Sequence, residues 1–114
     1  MSKMDAWAKE FPAAITVCDR KGRILEMNDR AAATFQKDGG ACLVGKSILD
    51  CHPQNARAKL EGMLESATPN CYTIEKKGKR KLIFQSPWYE DGRYRGFVEL
   101  SIEIPDRLPH FVRD

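Results

Sequence analysis

The last third of the chain reads as three strands joined by turns too short for anything but a reversal of direction. "CYTIE" meets Lys77-Gly78 and continues as "KLIFQSPWY", which meets "EDGR" and continues as "YRGFVELSIEI". Two-residue connections join antiparallel strands, because a parallel pair needs a crossover of a dozen residues or more. In the final strand Val98, Leu100, Ile102 and Ile104 alternate with Phe97, Glu99, Ser101 and Glu103. That period of two marks a sheet with one face on the core. The aliphatic set is the expected core face, which leaves Phe97 on the outer one.

The rest of the chain fits around such a sheet. "AAITVCD" is a branched, apolar strand closing at Asp19, and "DRKGR" turns it into a returning strand, Ile24 to Asn28. Asn28 or Asp29 offers a side-chain oxygen to the amides of a short helix, "RAAATF", which "QKDGG" breaks. Pro53 opens a longer helix whose apolar stripe is Ala56, Leu60, Met63, Leu64 and Ala67, and "TPN" stops it. Near the start, Met4, Trp7, Ala8 and Phe11 form one stripe of an amphipathic helix that Pro12 ends. The expected organisation is an N-terminal helix over residues 1–12, an α+β domain over 13–104 and a tail over 105–114. A chain of 114 residues is the size of one domain.

"GACLVGKS", Gly40 to Ser47, matches the phosphate-binding loop pattern letter for letter. Its flanks do not fit. Such a loop follows a buried strand and opens a long helix whose amides face the phosphates. Here a polar helical segment precedes it, and Pro53 follows Lys46 too closely for that helix. The match is taken as accidental, which argues against ATP.

No apolar run approaches the ~18 residues of a membrane helix, and "MSKMDAWAKEFP" lacks the features of a secretion signal. The expected setting is a bacterial-type cytoplasm. Cys18, Cys42, Cys51 and Cys71 contain no CxxC pair. Free thiols are therefore expected, with neither disulfides nor a zinc site. A net charge of +3 does not imply nucleic acid. "KKGKRK", Lys76 to Lys81, reads as a solvated hairpin tip, since no stacking aromatics or reading helix accompany it.

Asp19, Gly22, Ile24, Asn28, Ala31 and Phe35 together resemble the N-terminal signature of PAS sensor domains, D-x-x-G-x-I-x-x-x-N-x-x-A-x-x-x-F. Val44 to Ser47 is similar to the family's Gly-Lys step, and "DGRYRGFVELSIEI" to its final hairpin. The "DCHP" before the long helix resembles a subset of the family with Cys-His-Pro there. The resemblance runs from about Phe11 to Ile104. It implies a five-stranded antiparallel sheet in the order 2-1-5-4-3, with helices on one face that often enclose a small pocket. It also implies a sensory or signal-transduction role through a small ligand or a protein partner. The family's usual Asp-Ile-Thr ending is replaced by "SIEIPDRLPHFVRD". That departure implies either a free-standing module or a separate signalling protein as output. The flavin-binding subclass carries an Asn-Cys-Arg motif, whereas Asn70-Cys71 continues as "YTI". Flavin is set aside.

Several site residues follow. Met27, Phe35, Leu43, Ile48, Leu49, Leu60, Leu64, Phe84, Val98 and Leu100 are expected to converge between sheet and helices, with Asn28, Gln85 or Ser86 supplying a polar contact. His52 and Cys51 are candidate haem ligands. The plainer reading has His52 capping the long helix and Cys51 packed in the core. Neither an acid–base pair nor a nucleophile with its base emerges, so no enzymatic activity is expected. Met4, Trp7 and Phe11, with Phe97 on the outer sheet face, form a candidate homodimer interface.

Overall fold

The computed structural model describes residues 4–51 and 54–114, with the side chain of Cys51 left out. Five strands, β1 (Ala14–Asp19), β2 (Ile24–Met27), β3 (Asn70–Lys76), β4 (Lys79–Glu90) and β5 (Arg93–Ile104), form one sheet in the order β2-β1-β5-β4-β3. Every pairing is antiparallel. The strand order and hairpins expected from the sequence are those found. Lys77 and Gly78 have φ of 53° and 77°, and Asp91 and Gly92 have 51° and 77°. Positive φ at both central positions is the type I′ geometry, whose twist matches that of the strands it joins.

Between β2 and β3 lie α2 (Asp29–Thr34), three single 3₁₀ turns (Gln36–Asp38, Gly40–Leu43, Ile48–Cys51) and α3 (Gln54–Ser66). The hydroxyl of Tyr94 on β5 donates to the Leu64 carbonyl at 2.7 Å, tying the last turn of α3 to the sheet. The N-terminal helix is shorter than its stripe suggested. α1 spans only Ala6–Lys9, and its buried residue is Ala8. Trp7 and Phe11 stack edge to face, 6.2 Å apart, and stand 69% and 45% exposed.

One side chain joins three of these parts. Asn28 is 1% exposed and caps α2 by accepting from the Ala31 amide at 3.0 Å. The same Oδ1 accepts from the Ile15 amide on β1 at 2.9 Å. Its Nδ2 donates to the carbonyls of Ala8 and Ala13 at 3.0 and 2.7 Å. The amide thus meets α1, β1 and α2 with donors and acceptors all matched, as a buried polar group requires.

Pairing register assigns the sheet faces, because directly opposed residues share a side. Thr16 opposes Glu99 and Cys18 opposes Phe97, so Phe97 and Glu99 turn toward the helices with the pocket side of β1. Phe97 is 7% exposed and packs with Cys18 and Leu64 in the core cluster. This corrects its expected place on the outer face. Leu100 opposes Ile15 and Phe84, and Ile102 opposes Leu82, all on the far side of the sheet. The alternation was real but its phase was inverted. A period of two separates two sets of side chains without saying which set meets the helices.

β1 and β5 approach closely at Gly96. A Cβ there would strike the Cys18 carbonyl oxygen and lie 2.8 Å from the carbon atoms of Asp19. Across this bare strand position the Trp88 indole reaches from β4 to donate to the Cys18 carbonyl at 3.0 Å.

Two substitutions test these supports by urea denaturation. Asn28→Ala abandons two amides and two carbonyls, and is expected to cost about 2–4 kcal/mol. Gly96→Ala forces β1 away from β5, with an expected loss of about 3 kcal/mol. Near-wild-type midpoints would refute either assignment.

Candidate functional site

A cavity of about 180 Å³ lies between the sheet and the helical segments. Its walls are apolar: Ile24 and Met27 from β2, Phe35 and Leu43 from the segment after α2, Ile48, and Leu60, Met63 and Leu64 from α3. Cys18 and Phe97 close it from the sheet side. Its polar surface comes from Thr16, Gln85 and Glu99 on the strands and Asp38 in the first 3₁₀ turn.

Those strand residues lie in one line. Met27 opposes Thr16, Thr16 opposes Glu99, Glu99 opposes Gln85 and Gln85 opposes Asn70, so a single cross-strand row traverses all five strands. Asn70 Nδ2 donates to Gln85 Oε1 at 3.2 Å, and Gln85 Nε2 donates to Glu99 Oε2 at 2.7 Å. The Asn70 contact turns the Gln85 amide so that its donor faces the carboxylate. Tyr72, one row away on β3, feels that charge. Burial chiefly, and then Glu99, raise its phenol above the ordinary tyrosine range.

The sequence-derived pocket residues divide cleanly. Met27, Phe35, Leu43, Ile48, Leu60 and Leu64 line the cavity. Val98 also borders it, although strand parity puts it on the outward-facing set of β5. Leu49 instead packs against the Cys18–Leu64–Phe97 cluster. Asn28 is committed to the backbone bonds described above. Phe84 and Leu100 occupy the outer face with Ile15, and Ser86 shares that face with Val98, its hydroxyl donating to the Pro87 carbonyl. Seven lining residues were not among the sequence-derived pocket candidates: Thr16, Cys18, Ile24, Asp38, Met63, Phe97 and Glu99. Correct strand phase would have found Glu99, and with it Thr16, directly opposite. His52 and the side chain of Cys51 lie outside the described residues.

The phosphate-loop look-alike folds differently from its namesake. Its residues form a 3₁₀ turn and a bend, and the chain then makes only another 3₁₀ turn, Ile48–Cys51. The amides of Gly45, Lys46 and Ile48 donate to the carbonyls of Ile24, Leu43 and Gly22. The loop is fastened to the β1–β2 hairpin rather than opened toward an anion. At the basic tip, Lys79 and Arg80 pair with Glu103 and Glu75, each at 3.3 Å.

The sequence matches the family model described as PAS fold over residues 9–108. The chain belongs to the PAS fold family. Solved structures agree on the architecture of this PAS domain. It is similar to the PAS domain of BvgS from Bordetella pertussis, with a TM-score of 0.64 and 22% identity over 88% of this chain and 82% of that one. A sensory box sensor histidine kinase from Vibrio cholerae superposes with a TM-score of 0.60 at 16% identity, covering 84% and 85% of the two chains. The Aer2 receptor from the same species, described as a dual PAS-heme oxygen sensor, gives 0.59 at 16% identity over 82% and 95%. No curated protein sequence matches significantly. At these identities the likeness is one of fold.

The PAS-domain cavity also holds a thiol. Burial dominates the environment of Cys18 and raises its pKa above 9.0, with the charges of Asp19 and Glu99 adding to the rise and a Phe97 backbone bond opposing it. A raised folded-state pKa makes this group stabilising below the unfolded thiol's titration, and the contribution is lost as pH climbs toward the folded value. Stability should fall above pH ~9 by up to about 1.4 kcal/mol per pH unit, and Cys18→Ala should flatten that alkaline limb relative to the wild type. A second readout is alkylation mapped by mass spectrometry at pH 7.5. The exposed Cys42 and Cys71 should label readily and Cys18 only after unfolding. Prompt native labelling of Cys18 would contradict its burial.

Proposed function

We propose that this PAS domain is a sensory signal-transduction module whose cavity takes a small ligand. The observation carrying this reading is the cavity itself, apolar on its helical walls and polar along one strand row. A few placed polar groups in an otherwise apolar hollow are the usual make-up of a small-molecule site. An engineered apolar cavity of about 150 Å³ accommodates benzene, so the space here suits a ligand of about one ring. Since α3 and the segment carrying Phe35 and Leu43 form its walls, a ligand would bias the packing of those elements to the extent that it binds one arrangement better. A protein-facing output fits such a module, as does a cytoplasmic setting. No helix among the described residues is long and apolar enough to cross a membrane.

The second part of the reading is a homodimer. The outer sheet face carries Leu82, Val98, Leu100 and Ile102 only partly covered, and Phe84 is 39% exposed at its middle. Exposed Trp7 and Phe11 add to the apolar surface, while Met4 is half-buried and Phe97 drops out as a core residue. A self-complementary face of this kind suits a two-fold contact between copies. The haem reading draws no histidine from the described lining, whose sulfur atoms are the Cys18 thiol and the thioethers of Met27 and Met63.

Three measurements test these proposals. Thermal-shift screening of the wild type against a metabolite panel should yield a stabilising compound, worth about 2.7 kcal/mol at a hundredfold excess over Kd, and Leu60→Trp should abolish the response by filling the space. A panel with no effect on the wild type argues for a filled, structural cavity. Light scattering should give twice the chain mass for the wild type and a monomer for Phe84→Glu, whereas a wild type that is monomeric at high concentration removes the dimer. Purified protein should be colourless. A haem absorption band lost in His52→Ala would reverse that part of the reading.

A further inference from the structure

The charge on the cavity wall specifies more than a size. Among the lining residues two carry ionisable carboxyl groups, Glu99 on the sheet and Asp38 in the first 3₁₀ turn, and no lysine, arginine or histidine balances them. Glu99 Oε2 accepts from Gln85, but its Oε1 has no hydrogen-bond partner among the described residues. The amide beside it is used at both ends, by Asn70 and by Glu99 itself. Whatever enters the cavity therefore meets an acceptor with spare capacity at the strand row, with the Thr16 hydroxyl next to it. The helical walls offer hydrocarbon and the Phe35 ring, and Phe97 adds a second ring from the sheet side.

These observations point away from two other cations. Among the described residues no group of three metal-ligating side chains is gathered anywhere in the fold, so a bare metal ion lacks its ligand set. A guanidinium would want a bidentate carboxylate, and one of the two oxygens here is already taken. A single ammonium needs only one free acceptor and a neighbouring hydroxyl.

Resting on the reading of this cavity as a ligand site, the geometry points to a small primary amine with an apolar, ring-sized body as the ligand class. The ammonium lies against Glu99 Oε1 beside Thr16, and the body fills the space under Leu60, Met63 and Leu64. Selectivity comes from charge. An alcohol of the same shape loses the ion pair, and a carboxylate faces two like charges.

The test uses three shape-matched probes on the full chain at pH 7, read by calorimetry: 2-phenylethylamine, 2-phenylethanol and 3-phenylpropanoate. The amine is expected to bind at least tenfold more tightly than either analogue, the fold-change of one charge-assisted hydrogen bond. Glu99→Gln keeps the shape and an acceptor for Gln85, and should lose that preference. Glu99→Asp keeps the charge and should retain it. Amine binding that survives Glu99→Gln unchanged, or an alcohol or carboxylate that binds as well as the amine, overturns the amine assignment while leaving the cavity a ligand site. Absence of heat from all three probes also overturns it, and the metabolite panel with Leu60→Trp then decides whether the cavity binds anything. Circular dichroism of each variant confirms that the comparison is between folded proteins.

Discussion

The fold depends on how one buried amide is satisfied. The Asn28 side chain is withdrawn from water and meets two backbone amides and two backbone carbonyls on three separate segments. Withdrawing such a group is unfavourable unless its partners are in place, so the segments are held to a common geometry by the cost of leaving it unmatched. The chain after β2 must enter α2 at this point, and the segment before β1 must pass beside it. The position of the α2–Phe35 segment, and with it one wall of the cavity, is set there. Serine or aspartate could cap α2 as well as asparagine. Neither carries the acceptor together with the two donors that this junction uses.

Much of this was legible in the residues. The hairpins, both turns in the last third and a helix cap at Asn28 or Asp29 follow from local chemistry, because each is decided within a few positions of the chain, whereas the sheet order, which pairs β1 with the distant β5, was implied by the resemblance to PAS domains. Asp19, Gly22 and Asn28 sit at the hairpin and its exit, where their spacing in sequence becomes spacing in space. The site was less legible, for a specific reason. Val98, Leu100 and Ile102 are the greasier set on β5, and a sheet with one wet face would turn them to the helices. Here the helical side needs polar atoms as well, so Glu99 and Ser101 lie on it, and the aliphatic set faces out. Hydrophobicity alone misassigns a strand whenever the interior contains a lined space and the exterior an apolar patch. The N-terminal helix is present but shorter than expected, for another reason. Its stripe is genuine, yet Pro12 and the short run before it leave a single turn, too short to stand on its own hydrogen bonds.

The resulting sheet is two-sided in an unusual distribution. One face presents Thr16, Glu99 and Gln85 to a cavity, with Asn70 ending their row, and the other presents branched aliphatics and Phe84 to the surroundings. The close approach at Gly96 and the Trp88 indole laid across it hold the two strands that carry both faces. Anything that shifts the inner ladder acts on the same backbone that displays the outer patch.

The ladder ends at Asn70, shortly after the last residue of α3 at Ser66. Gln85 sits between that end and Glu99 as a group with two unlike ends, oxygen toward Asn70 and nitrogen toward the carboxylate. Rotating the amide by half a turn would set oxygen against oxygen on one side and nitrogen against nitrogen on the other, breaking both bonds at once. The joint where helix becomes strand is therefore tied to Glu99 by two directed hydrogen bonds, and the amide between them is held in a single orientation.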